Sequence, residues 1–301
     1  MNIKDVDAFE EFINELKFVG FQASELGRAR ELLKKIKEED SILYFGFTAN
    51  LVASGLRGFI AKFIRSGIVD VVVTTGGAID HDVIKSFMPY LTGSFNVDDK
   101  ELHKQNINRI GNIFVPTDRY VRFEEISHEV MEKAMKKYGN VVAPSELINE
   151  YAEYVYKNSH DKHSFLRAAY EKNIPVFSPG ITDSAIGLNT YFFKQRFETF
   201  SIDVTKDMKK LADITINAEK TSAVILGGGI TKHHIIGLNV VRGGLDYAIY
   251  ITTATEWDGS LSGARTKEAV SWGKISEEGK HVTVVGDATI LFPLLLKDII
   301  Q

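Results

Sequence analysis

Val71-Val72-Val73-Thr74-Thr75-Gly76-Gly77 is a β-branched run that ends on paired glycines, and its reading decides the fold. Upstream, Ile42-Leu43-Tyr44-Phe45-Gly46-Phe47 is a second apolar run, and Leu51 to Ser66 between them carries helical spacing that stops at Gly67. A strand, a helix and a strand in that order predict a parallel pair joined by a right-handed crossover. Val224-Ile225-Leu226-Gly227-Gly228-Gly229 repeats the strand-to-glycine signature, and Val176-Phe177, Tyr247 to Thr252 and Val282 to Val285 supply further strands. Phe9, Phe12, Ile13 and Leu16, then Leu26, Ala29, Leu32, Leu33 and Ile36, recur at helical spacing near the N-terminus. Glu146 to Lys157, Ser164 to Lys172 and a C-terminal segment at 291–299 also read as helical. The expectation is an α/β chain: a Rossmann-like parallel sheet flanked by helices, with helical insertions and an N-terminal helical extension over 1–40 before a catalytic domain over 41–301.

The 301 residues are 44% hydrophobic and 25% charged, enough for a sizeable core. A net charge of −4 argues against nucleic-acid binding, which needs a basic surface to neutralise phosphates, and suits a cationic substrate. With no cysteine, disulfides, thiolate metal sites and cysteine nucleophiles are excluded. No signal pattern opens the chain and no apolar stretch reaches spanning length, so a cytoplasmic protein without a membrane segment is expected.

Glu256-Trp-Asp-Gly-Ser-Leu-Ser-Gly-Ala-Arg-Thr-Lys-Glu-Ala-Val-Ser-Trp-Gly-Lys274 carries the clearest chemical signal. It brings a carboxylate, an indole and an amine close together as Glu268, Trp272 and Lys274. A lysine held between an aromatic face and a carboxylate is a candidate imine-forming nucleophile, because desolvation favours the neutral amine. The glycine clusters each stand where a strand gives way to a helix, a place for backbone N–H groups to meet a pyrophosphate; either is equally a tight turn. Asp183, Asp258 and Asp287 follow strands, where a carboxylate can accept from ribose hydroxyls or cap the next helix. His233 and His234 open a helix without a third ligand at metal spacing, so no metal site is read; a packed histidine or a proton shuttle both remain open.

These residues resemble the deoxyhypusine synthase family over nearly the whole chain. The resemblance rests on Phe47-Thr-Ala-Asn-Leu51, Val71 to Gly77, Ile107-Asn-Arg-Ile-Gly-Asn112, Ile174-Pro-Val-Phe-Ser-Pro179, Leu226 to Gly229 with Lys232-His233-His234, Asp258-Gly-Ser with Ser262-Gly-Ala-Arg265, and Glu268-Ala-Val-Ser-Trp-Gly-Lys274. It implies NAD-dependent transfer of the aminobutyl group of spermidine to one lysine of translation initiation factor 5A, in a homotetramer. Lys274 would carry the imine, His233 would contact the reacting nitrogen, Glu268 would bind the amine, and Trp272 and Tyr250 would wall the channel. NAD would lie against Asn50, Thr75, Gly76, Gly77, Asp183, Gly227, Gly228, Gly229, Thr253, Ala254, Asp258, Ser262, Asp287 and Ala288.

The chain departs from the family pattern at Leu188 and Leu261, which stand where the family has polyamine-binding acids, and at His81, which replaces a third acid between Asp80 and Asp82. Ala49 replaces a serine and Gly237 an asparagine. Alternatives are therefore a related transferase with another amine donor or a small-molecule acceptor, resembling homospermidine synthesis or using agmatine, or a silent NAD-binding paralogue. The departures predict a donor whose leaving end is less cationic than that of spermidine, or is held by Asp80 or Asp82.

Overall fold

The computed structural model describes residues 2–300. The first elements are α1 (Phe9–Val19), α2 (Phe21–Glu38), β1 (Ile42–Phe47), α3 (Ala49–Ala53), α4 (Arg57–Arg65), β2 (Val71–Thr74), α5 (Gly76–Phe87) and β3 (Leu91–Thr92). Then come α6 (Asp99–Lys104), β4 (Ile107–Ile110), β5 (Ile113–Pro116), α7 (Asp118–Tyr138), β6 (Val141–Val142), α8 (Pro144–Asn158), α9 (Phe165–Lys172) and β7 (Val176–Phe177). The last third holds α10 (Ala185–Arg196), β8 (Ser201–Ile202), α11 (Val204–Ile216), β9 (Thr221–Leu226), α12 (Gly229–Leu238), β10 (Leu245–Thr252), α13 (Thr266–Ser271), β11 (Ile275–Val285) and α14 (Ala288–Leu296).

The chain divides into two compact units, Met1–Phe47 with Ser66–Val73 and Met208–Gln301, and Thr48–Arg65 with Thr74–Asp207. The first carries neighbouring strands in the order β11-β10-β9-β1-β2. The pairs β1 with β9, β9 with β10, and β10 with β11 are all parallel, as the strand–helix alternation predicts. Leu226 pairs Ile251 and Thr252 pairs Val285, so these three strands end level. Gly227 N–H then donates to Ile251 O at 2.8 Å and Gly286 N–H to Thr252 O at 2.9 Å, which holds the following loops to one edge. Strand residues such as Phe45, Val224 and Ile249 are wholly buried, because a sheet covered on both faces needs apolar side chains on both. Helix α14 is apolar around most of its circumference, and its Phe292 stacks on Phe45 at 5.5 Å. Residues 1–40, read from sequence as an extension, lie within this unit, where α2 packs on β10, β11 and α14.

The second unit is a helical assembly built around α5, which packs against α7, α8, α9 and α10. Phe123 stacks on Tyr151 at 6.0 Å in its core. The expected helix over 51–66 is two helices, α3 and α4. The break has a clear cause: Ser54 Oγ donates to Leu51 O and Lys85 Nζ donates to the carbonyls of Val52, Ala53 and Ser54, so α3 ends on side-chain donors. A small antiparallel sheet, β3-β5-β4, was not read from sequence. Among the described residues no helix is long and apolar enough to cross a membrane.

Candidate active site

In the first unit, Ser271-Trp272-Gly273-Lys274 is a helix ending. Gly273 has φ +64°, which favours glycine, and its N–H returns to Val270 O at 2.9 Å. Lys274 N–H then donates to Ala269 O at 3.0 Å and Lys274 O accepts from Leu245 N–H at 3.1 Å. The backbone of the candidate nucleophile is thus tied to α13 on one side and β10 on the other.

A cavity of about 260 Å³ opens there, lined by Lys232, His233 and Ile236 of α12, Gly259, Leu261, Ala264 and Arg265 of the loop after β10, Glu268 and Ala269 of α13, and then Trp272 and Lys274. Lys274 is half-buried, with Nζ 5.1 Å from the centroid of the exposed Trp272 ring. Glu268 is the carboxylate of the lining and makes no ion pair among the described residues. Arg265 Nε reaches Glu256 at 3.4 Å. Lys232 Nζ donates to Leu261 O at 2.8 Å and to Ala264 O, and burial pushes its ammonium down to about 8. Tyr250, expected in the channel wall, is fully buried on β10 behind Lys232, whose Nζ lies 4.6 Å from its ring centroid. His233 is exposed at the cavity, whereas burial holds His234 below the usual imidazole range. A neutral or protonated amine can therefore be met by one carboxylate, one indole, an imidazole and a primary amine.

A family model described as deoxyhypusine synthase matches residues 11–299. The chain belongs to the deoxyhypusine synthase family. A Methanocaldococcus jannaschii protein named "probable deoxyhypusine synthase" is 44% identical over 308 residues, an alignment spanning 98% of this chain and 93% of the relative. An Ignicoccus hospitalis protein of the same name is 45% identical over 285 residues, spanning 93% of this chain and 87% of the relative. The crystal structure of an Entamoeba histolytica protein named "putative deoxyhypusine synthase" superposes with a TM-score of 0.72 at 23% identity, over 99% of this chain and 96% of that one, a likeness of fold. Deoxyhypusine synthases are transferases, and the Lys274 block lies inside the matched region.

The residues expected from the resemblance to meet NAD are described unit by unit. In the first, Gly227 (φ +89°), Gly228 and Gly229 (φ +65°) link β9 to α12. A Cβ on Gly228 would stand 2.6 Å from Ser262 Cα, so the turn needs glycine to pack on its own neighbour. Gly229 N–H donates to Ser262 Oγ at 2.9 Å. Asp287 caps α14 by accepting from Thr289 N–H at 2.8 Å, and Asp258 is held below the usual carboxylate range by the Ser260 hydroxyl and by the Ser260 N–H, which donates to it at 2.7 Å. Thr253 is exposed beyond β10, Ala254 N–H donates to Thr252 Oγ1, and Ala288 opens α14. In the second unit, Gly76 and Gly77 open α5, Asp183 is exposed, and Asn50 Oδ1 accepts from the Thr48 hydroxyl at 2.6 Å. Thr75 Oγ1 is buried without a partner among the described residues. In the first unit the exposed Thr253, Asp258 and Asp287 follow parallel strands, where they can accept from the ribose hydroxyls of a dinucleotide, and in the second the orphaned Thr75 hydroxyl stands beside a glycine turn.

Two acids considered as substitutes for the family's lost carboxylates are engaged elsewhere, which corrects that expectation. Asp82 is wholly buried, pairs with Arg57 and accepts from Ser164 Oγ and from the N–H groups of Phe165 and Leu166. Asp80 accepts from Ala185 N–H at 2.8 Å and Ile186 N–H at 3.3 Å at the start of α10, and burial pushes it up to about 7. His81 is buried against Tyr90, with Nδ1 2.8 Å from the hydroxyl, and burial beside Lys85 lowers it to about 4. Leu188 is 56% exposed on α10, whereas Leu261 lines the cavity. The sequence reading names Lys232 in the family block but gives it no role, although Lys232, Ile235 and Ile236 share the buried face of α12 at helical spacing.

Proposed function

We propose that this enzyme transfers an aminobutyl group from spermidine or a related amine to a specific lysine of translation initiation factor 5A, through an imine on Lys274. The observation that supports it is the cavity in which Lys274, Trp272, Glu268 and His233 converge. Glu268 holds the terminal ammonium of the transferred group, and Trp272 excludes water from one side of the reacting carbon. Lys274 attacks that carbon as a neutral amine and displaces the leaving amine; the acceptor lysine then displaces Lys274. His233 exchanges protons with the departing and arriving nitrogens. Bound NAD would supply the hydride acceptor that brings the donor carbon to the imine level before Lys274 attacks, and the same hydride would reduce the imine once the acceptor lysine holds it. Asn50, Thr75, Gly76, Gly77, Asp183, Gly227 to Gly229, Thr253, Ala254, Asp258, Ser262, Asp287 and Ala288 are the residues proposed to hold it. A homotetramer acting in the cytoplasm completes the reading.

A variant of this reading concerns the donor. Leu261 gives the cavity an apolar wall, and Asp80 and Asp82 are occupied by the protein itself. This favours a donor whose leaving end is less cationic than that of spermidine. Incubation with NAD, a panel of amines and the initiation factor, followed by intact-mass measurement of both proteins, tests both. An aminobutyl-sized gain on the factor supports transfer, and its absence with every amine refutes it. A marked preference for spermidine refutes the variant alone.

A further inference from the structure

Lys232 leaves only 1% of its surface exposed, a degree of burial lysine reaches only with a compensating partner. Its partners are unusual in kind. They are the carbonyls of Leu261 and Ala264 and the face of Tyr250, whose own hydroxyl has no partner among the described residues. One turn earlier on the same strand-to-helix junction, Gly229 N–H donates to Ser262 Oγ, and Gly228 packs directly on the Ser262 backbone. The start of α12 is therefore fastened to the 261–264 turn by Gly228, Gly229 and Lys232. That turn carries Leu261 and Ala264, which are walls of the cavity.

We propose that Lys232 is a positioning residue that makes the glycine turn and the amine cavity a single mechanical unit, its ammonium holding the 261–264 turn against α12. This rests on the reading that the glycine turn takes the dinucleotide and the cavity takes the amine. A point cation suits this role, since ammonium protons rotate freely to reach two carbonyls while the ring face accepts the remaining charge. Methionine would pack in the same volume without burying a charge, so the ammonium earns its place through the carbonyls it holds. Burial opposes the charge, as the depressed ammonium shows, with Arg265 and Lys274 acting in the same sense and Glu268 against it.

Lys232→Met tests this in two independent ways. In the ligand-free enzyme, amides of 259–264 should exchange at least about tenfold faster, the loss expected for charge-assisted hydrogen bonds, while those of β9 and β11 stay protected. By calorimetry NAD should bind more weakly by a similar factor, and the amine KM should rise more than kcat falls. Lys232→Arg, which restores a cation to the same carbonyls, should recover part of the protection. Unchanged exchange over 259–264 in Lys232→Met overturns the proposal, as does faster exchange with wild-type NAD affinity. Should Lys232→Met not fold, Lys232→Arg carries the test alone: exchange over 259–264 less than about tenfold faster than wild type supports the fastening, and exchange faster than that, with β9 and β11 still protected, overturns it. Absence of NAD binding in the wild-type enzyme refutes the cofactor reading, a result separate from the ligand-free exchange.

Discussion

Replacing Glu268 by glutamine probes how the cavity holds charge. Its lining presents Lys232, Arg265 and Lys274 against the carboxylate of Glu268, so that carboxylate carries the attraction for an ammonium. Glutamine keeps the shape and an acceptor oxygen but removes the charge. A charge-assisted hydrogen bond contributes roughly 1.5–3 kcal/mol. Because Glu268 is exposed, water screens the pair and the lower end applies, about 1.5 kcal/mol or about a tenfold rise in the amine KM. Glu268 makes no ion pair in the free protein among the described residues, so unfolding stability should move by no more than about 0.5 kcal/mol. The assay is steady-state kinetics over an amine series at low and high salt, since screening should shrink the difference. The complementary change, Leu261→Asp, adds a carboxylate to the same wall and should shift preference toward donors with more ammonium groups. An unchanged amine KM in Glu268→Gln at low salt, together with no shift in preference from Leu261→Asp, would refute the charge argument.

Lys274→Arg should abolish transfer while leaving amine-dependent NADH formation partly intact, because arginine keeps its proton; borohydride with NAD and amine should trap an adduct that peptide mapping places on Lys274. Gly228→Val should lower both melting temperature and NAD affinity, since its Cβ would collide with Ser262, and calorimetry showing unaltered NAD binding in a folded variant would make the turn structural only. Asp80 is raised to about 7 by burial, so the unfolded chain sheds that proton first as pH climbs. Folding stability should therefore fall from about pH 4 to about pH 7 at this site, and Asp80→Asn should flatten that part of a denaturation series.

The sheet was legible because its strands are long or continuously apolar: 42–47, 223–226, 247–252 and 282–285 all fall within observed strands. The β-branched run expected as a strand over 69–74 is β2 over Val71–Thr74, two residues shorter at its start, and the C-terminal helix starts earlier than its apolar run because Asp287 caps it at Ala288. The β3-β5-β4 sheet escaped because Leu91–Thr92 offers only a two-residue strand, too short for an alternation to register. At the site, Lys274, Trp272 and Glu268 could be read because a short helix and its glycine ending bring them together locally. Asp80 and Asp82 could not, because the backbone groups they hold, at Ala185 and Leu166, lie 105 and 84 positions further along the chain. Whether an acid faces a ligand or ties two helices depends on tertiary neighbours that composition does not encode.

The anchoring of Lys274 at both its N–H and its carbonyl has a consequence for how cargo changes hands. A lysine on a pliant loop could carry a bound group outward like an arm. Here the shoulder is bolted by two backbone hydrogen bonds between a helix end and a strand. If Lys274 carries the transferred group, as proposed, that group stays within the reach of its side chain, and the acceptor comes to the cavity and threads its own lysine inward. On the proposed mechanism, the recipient is then the protein that can present a slender, solvent-exposed lysine at this opening, and shorter or better-buried lysines stay out of reach.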